Sequence, residues 1–179
     1  MTKPSDELLK RAYAQDASIY QETPQDVAFP ASAEQVIELV KSGKRLIPRA
    51  AGTSLAGQVV GDGTVLDTGR HMNAILQVNV EERWVEVQPG VVRDELNHHL
   101  KEHGLFFGPN TSTSNRCMMG GMVGNNSSGS TSISYGTTRE KLLGLELVTA
   151  DGVLRAMGDI QSDGVRVIPS AVENWMTQW

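Results

Sequence analysis

The sequence predicts an α+β fold of two subdomains that share a seam. Helical and strand patterns alternate early in the chain, hairpins dominate later, and two stretches of small residues, 48–57 and 108–136, interrupt the pattern. Residues 6–13 can form a short helix, and "ETPQDVAFPAS" is extended chain broken by Pro24 and Pro30. Ser32 opens a helix with Gln35 three residues on, the spacing of a capping box. Val36, Ile37 and Val40 give that helix an apolar face, and Gly43 ends it. "RLIP" begins a short buried strand, the loop "RAAGTSLAGQ" follows, and "TVLDTG" is the next strand.

"AILQVNVEERWVEVQPG" predicts a hairpin in which Val85 and Val87 alternate with Glu86 and Gln88, broken at Pro89-Gly90. In "VVRDELNHHLKEHG" Val92, Leu96 and Leu100 fall on one helical face, with Gly104 as the C-cap. "KLLGLELVTADGVLRAMG" predicts a second hairpin, with Leu143, Leu145 and Leu147 on one face and Asp151-Gly152 at the turn. "GVRVIP" predicts one more strand.

Composition narrows the function classes. A chain of 179 residues can bury a real core, and 39% hydrophobic with 21% charged residues is an ordinary globular balance. A net charge of -5 without a basic stripe argues against a nucleic-acid partner. No apolar run approaches the ~20 residues of a membrane helix, and the start "MTKPSDELLKRAYAQDAS" lacks the apolar region of a secretory signal. The single cysteine, Cys117, excludes a disulfide framework, and also an iron–sulfur cluster or Cys-rich zinc site built by this chain alone. It fits a reducing, cytoplasmic setting.

Several candidate sites are weak. His99 and His103 have the i,i+4 spacing of zinc helices, but the Glu of H-E-x-x-H is absent, so with His98 they read as a solvated helix face and no metal site is expected. Cys117 has no evident local base and reads as a small buried hydrophobe. Ser54 lies outside a G-x-S-x-G elbow, which leaves a serine hydrolase unsupported.

"PRAAGTSLAG", Pro48 to Gly57, says more. It follows a short strand directly, at the strand end where α/β folds bind ligands. Successive small residues let backbone N–H groups point inward as an anion nest, with Thr53 and Ser54 adding hydroxyls. It is neither a P-loop nor G-x-G-x-x-G, and alone it is as consistent with an ordinary turn. The second stretch, Gly108 to Gly136, has a linker's composition but changes character along its length. A hydroxyl-rich lead (Thr111 to Ser114) gives way to the apolar "CMMGGMV", then Asn125-Asn126, a second hydroxyl run and Tyr135-Gly136. From Asn110 to Ser134 the only charge is Arg116. Met118, Met119, Met122 and Val123 want burial, and Gly120-Gly121 suits a backbone pressed against something flat or another segment. Neutral donors in a dry crevice can hold a pyrophosphate or a conjugated ring without Lys. A ligand-wrapping backbone is therefore favoured over a tether.

"PRAAGTSLAGQ", "VEVQPGV", "FGPNTSTSNRCMMGGMVGNNSSGS" and "YGTTREKLLGLELVTADG" resemble, in order and spacing, the FAD-binding domain of the vanillyl-alcohol oxidase type, the PCMH-type fold, over about Ala14 to Gly158. The resemblance implies a small mixed or parallel sheet plus a larger, mostly antiparallel sheet with flanking helices. The expected division is 1–13 as an N-terminal helical extension and 14–179 as the FAD-binding domain, split at about 14–68 and 69–179. The subgroup it is most similar to is the glycolate oxidase and D-lactate dehydrogenase branch, within it enzymes that fuse this domain to iron–sulfur modules and oxidise D-2-hydroxy acids.

By that resemblance Pro48, Arg49, Ala50, Ala51, Gly52, Thr53 and Ser54 would wrap the FAD pyrophosphate. Ser112, Thr113, Ser114, Cys117 and Met118, with Gly120 and Gly121, would line the isoalloxazine and ribityl portion, and Asn125, Asn126, Ser127 and Ser128 would add polar contacts. Relatives with covalent flavin carry a His where Thr53 stands, so noncovalent FAD is expected. Ala50-Ala51 replaces the usual glycines, which requires ordinary negative φ at both positions. The later FAD segment and the substrate domain with its catalytic base are not found before Trp179, so no catalytic residue is assigned. The chain is expected to be the FAD-binding portion of a larger dehydrogenase, taking its 2-hydroxy acid through that missing domain. The alternatives are a non-catalytic fragment that does not hold FAD alone, or an NADPH-dependent flavin reductase of the same fold.

Overall fold

The computed structural model describes residues 6–158, 167–169 and 173–174. Helix α1 (Asp6–Ala12) carries acidic residues in its first turn and basic ones in its last, which complements the helix dipole, and it buries no residue. Strand β1 (Asp26–Ala28) lies between two fully buried prolines, Pro24 and Pro30. Helix α2 (Ala33–Lys41) is capped by Ser32, whose side chain accepts from the Gln35 N–H at 3.4 Å. The return bond of the capping box goes one residue further out: Gln35 Oε1 accepts from the Ala31 N–H at 2.8 Å. Gly43, at φ +72°, lets the chain leave the helix.

Strands β2 (Leu46–Arg49) and β3 (Thr64–Asp67) join β1 in a three-stranded parallel sheet of order β1-β3-β2. Central β3 buries Thr64, Val65 and Leu66. The predicted burial of "RLIP" is corrected here, because β2 is an edge strand and only half-buried.

Strands β4 (Ile75–Asn79) and β5 (Trp84–Val87) form the first predicted hairpin. The expected alternation on β5 fails at Glu86, which is 6% exposed. β5 is an interior strand of the second sheet and has Val85, Glu86 and Val87 all buried. Helix α3 (Arg93–Leu100) buries Leu96 and Leu100, runs on through one 3₁₀ turn, and ends at Gly104 with φ +68°. Strand β6 (Leu105–Phe106) follows, and then the small-residue stretch, which contains helices α4 (Met119–Gly124) and α5 (Ser132–Tyr135). Strands β7 (Leu142–Val148) and β8 (Leu154–Gly158) make the second predicted hairpin, with Gly152 at φ +73° in its turn.

Of the predicted strand "GVRVIP", Val167–Pro169 is β9 and the rest lies outside the described residues. β9 completes an antiparallel sheet of order β4-β5-β9-β7-β8, while β10 (Glu173–Asn174) pairs with β6. A small parallel sheet and a larger antiparallel one, with helices, make the expected α+β architecture. The main core gathers Val85, Val87, Val91, Leu96, Leu100, Leu105, Phe107, Cys117, Met119 and Met122. Three of these residues belong to the stretch whose composition looked like a tether.

Candidate functional site

Where β2 ends, the chain becomes one wall of a cleft. Ala50 and Ala51 keep negative φ, as their side chains require, while Gly52 and Gly57 take φ +64° and +69°. The Arg49 carbonyl accepts from the Thr68 N–H at 3.2 Å, which ties the loop's start to the end of β3. Ser54 Oγ accepts from the Ala56 N–H at 3.1 Å, turning the loop back on itself.

The second wall is the small-residue stretch, and its order comes from backbone bonds within it and to other elements. Cys117 N–H donates to the Thr113 carbonyl at 2.8 Å. At the start of α4 two donors without helical partners find carbonyls outside the helix: Met119 N–H donates to Val91 at 2.9 Å and Gly120 N–H to Pro89 at 2.8 Å. Sequence reading missed this helix, since three glycines in six residues oppose one. Its faces divide the work. Met119 and Met122 belong to the core, Met122 also reaching the cleft, while Gly120, Gly121 and Val123 line the cleft. A Cβ on Gly120 would stand 2.6 Å from the Pro89 Cβ, and one on Gly121 would stand 3.1 Å from the Ala50 Cβ. The glycine pair thus lets α4 lie against Pro89 on one side and brings the two walls together on the other. Downstream, Asn126 adopts φ +46° and its Oδ1 accepts from the Arg139 N–H at 2.9 Å. Fully buried Thr138 donates its hydroxyl to the Ser127 carbonyl at 2.7 Å.

Between the walls lies a cleft of about 540 Å³, within the usual range for small-molecule sites. Of the residues anticipated from sequence, Pro48, Arg49, Ala50, Ala51, Gly52, Thr53 and Ser54 line it from the first loop. Thr113, Cys117, Met118, Gly120, Gly121, Asn125 and Ser127 line it from the second. Four lie off the lining: Ser112 and Ser128 are exposed, Asn126 is engaged with Arg139, and Ser114 donates to Asp94 at 2.9 Å. The lining also includes Gln58, Val59, Thr68, Pro89, Thr111, Met122, Val123, Gly124 and, on β7, Leu145, Glu146 and Leu147. Thr68 stands just past the end of β3, near the end of the predicted strand, a position that could have flagged it; nothing local marks the β7 residues.

Arg49 and Glu146 are the charged residues among those lining the cleft. Burial pushes the Cys117 thiol up, against the lowering effect of the hydrogen bond from Thr111 Oγ1 at 3.3 Å, so it stays a neutral wall residue. His98, His99 and His103 lie on an exposed face, and among the described residues no three His, Cys, Asp or Glu side chains gather as a metal site. No helix among those residues is long and apolar enough to cross a membrane.

A charge-poor cleft lined by backbone and small side chains, with one guanidinium on the first loop, suits a flat ring joined to a diphosphate. The comparisons with known proteins agree. The chain is 46% identical to D-2-hydroxyglutarate dehydrogenase of Pseudomonas putida over 155 residues, covering 83% of this chain and 15% of that protein. It is 42% identical to the Escherichia coli protein of the same name, over 76% of this chain and 14% of that one. With glycolate oxidase subunit GlcD of Bacillus subtilis it shares 32% identity, over 84% and 34% of the two chains. The chain therefore spans a small part of the curated relatives it matches. In fold it is similar to a solved alkyldihydroxyacetonephosphate synthase, with a TM-score of 0.75, 24% identity, and coverage of 86% of this chain and 34% of that one. The profile of the FAD binding domain family matches residues 24–158, from the approach to β1 through the end of β8, and the chain belongs to that family, with its PCMH-type fold.

Proposed function

We propose that this chain is the FAD-binding portion of a flavin-dependent dehydrogenase that oxidises a D-2-hydroxy acid of the D-lactate, glycolate or D-2-hydroxyglutarate type. The observation that carries the reading is the meeting of two separate small-residue segments, 48–54 and 111–127, as opposite walls of one cleft in a chain of the FAD binding domain family. The names of its relatives supply the substrate class.

In this reading the first loop, Arg49 included, holds the diphosphate. Thr113, Cys117, Met118, Gly120 and Gly121 exclude water from one face of the ring, and Asn125 and Ser127 supply polar contacts beside it. Asn126 acts by fixing the turn after α4 rather than by touching the flavin. When held there, FAD would supply the hydride acceptor for oxidising the hydroxyl-bearing carbon of the substrate. Thr53 stands where relatives with covalent flavin carry a His, which supports a noncovalent flavin. The first subdomain would run to about residue 68 with the three-stranded parallel sheet, and the second from 69 with the five-stranded antiparallel sheet. The whole protein is cytoplasmic and passes electrons to an iron–sulfur or comparable acceptor module.

Titrating the purified 179-residue chain with FAD tests this reading. It requires saturable one-to-one quenching of flavin fluorescence, with all flavin released by acid. A folded chain that leaves FAD fluorescence unchanged would favour a fragment unable to hold FAD alone, and flavin retained after acid would refute the noncovalent assignment.

A further inference from the structure

After α1 the chain turns back over the first loop of the cleft. Ala17 N–H donates to the Gly52 carbonyl at 3.1 Å, and the Tyr20 ring fills the space beside Gly57, where a Cβ would stand 2.7 Å from the ring. Tyr13 anchors this segment. Its hydroxyl donates to Asp67 Oδ2 at 2.5 Å, and its ring meets Phe29 edge to face with centroids 5.9 Å apart.

The partners of Asp67 carry the inference. Arg49 and Asp67 are directly paired positions on the adjacent strands β2 and β3, a geometry that invites an ion pair. No such pair forms. Asp67 instead accepts from Tyr13 through Oδ2 and from the Gly69 N–H through Oδ1 at 2.8 Å. The Arg49 guanidinium stands over the Tyr13 ring, 5.1 Å from its centroid, and Nη1 donates to the Tyr13 carbonyl at 3.4 Å. It also lies against Gly52, where a Cβ would be 2.6 Å from Nη2. Among the described residues no carboxylate pairs with Arg49, which therefore lines the cleft as a half-buried cation with N–H donors to offer.

We propose that residues 13–20 strap the first loop, and that Tyr13 is a positioning residue: by occupying the Asp67 carboxylate it keeps Arg49 free to face the diphosphate of the dinucleotide. This rests on the FAD-binding reading above. Burial, and then the hydrogen bond to Asp67, push the Tyr13 phenol up to about 12, so it remains a donor at any working pH. Removing its hydroxyl frees Asp67 to draw Arg49 away from the cleft.

The test is the FAD dissociation constant of the full chain and five variants: Tyr13→Phe, Asp67→Asn, Arg49→Gln, and Tyr13→Phe combined with each of the other two. Tyr13→Phe keeps the ring against Phe29, and thermal melts report its folding. Its dissociation constant should rise roughly tenfold, the scale of one lost charge-assisted contact. Adding Asp67→Asn should restore binding to within about threefold of Asp67→Asn alone, because the competing carboxylate is gone, and Tyr13→Phe should add nothing in the Arg49→Gln background. A loss that persists in both double variants, or no loss at all, would overturn the proposal. Should Tyr13→Phe not fold, Asp67→Asn alone decides: undiminished FAD binding is required, and a tenfold loss contradicts the role. Failure of the wild-type chain to bind FAD would strike the underlying FAD reading instead.

Discussion

The two walls of the cleft use the same residue types for opposite ends. The first loop is thinly tied, through Gly52 to Ala17 and Arg49 to Thr68, and its Leu55 is 80% exposed. The second wall is fixed to the protein on several sides: α4 begins on the carbonyls of Val91 and Pro89, its two methionines sit in the main core, and Thr138 clamps the turn at Ser127. Small residues in the first loop line an open cleft, whereas in the second they let one segment pack on another. Scarcity of charge is shared, one arginine in each; burial of the backbone is what separates the two.

The sharpest way to break this comparison is one truncation in each wall. Met119→Ala empties a fully buried site and should cost about 2–5 kcal/mol in urea denaturation. Leu55→Ala should stay within about 0.5 kcal/mol of wild type. Equal losses would mean that both walls are structural. Next in size is Gly120→Ala, whose methyl would press on Pro89 and should cost about 1–3 kcal/mol of stability. Gly52→Ala comes third: positive φ costs about 1–2 kcal/mol. Its methyl also meets the Arg49 guanidinium, so FAD affinity should fall further than that strain alone explains.

The smallest effect lies away from both walls, in the β7–β8 turn. Hydrogen bonds from Thr149 and then Arg155 lower the exposed Asp151 carboxyl to about 2. A depressed folded-state value contributes stability above the unfolded value of about 4 and loses it as pH falls toward 2. Asp151→Asn should flatten only that part of an acid-unfolding profile, should matter less in high salt, and should leave FAD binding unchanged.

Much of the fold was legible because local rules decided it. Ser32, Gly43, Gly104 and Gly152 mark their ends and turns through φ and capping, which depend on neighbours in sequence. What was hidden depends on distant partners. Glu86 is buried because β5 is an interior strand of a five-stranded sheet. Leu143 and Leu147 alternate as predicted but are 41% and 44% exposed. Helix α4 forms against its glycine content because carbonyls from another segment satisfy its first donors. The cleft residues read from sequence lie on the two small-residue segments, whereas the third side, Leu145 to Leu147, comes from a hairpin whose pattern only reports a strand.

Backbone hydrogen exchange of the chain with and without saturating FAD tests most directly whether both walls serve one ligand. The account predicts added protection in both 49–57 and 111–127, larger in the first loop, where few amides are already bonded. Protection confined to one segment, or to neither at saturation, would contradict it.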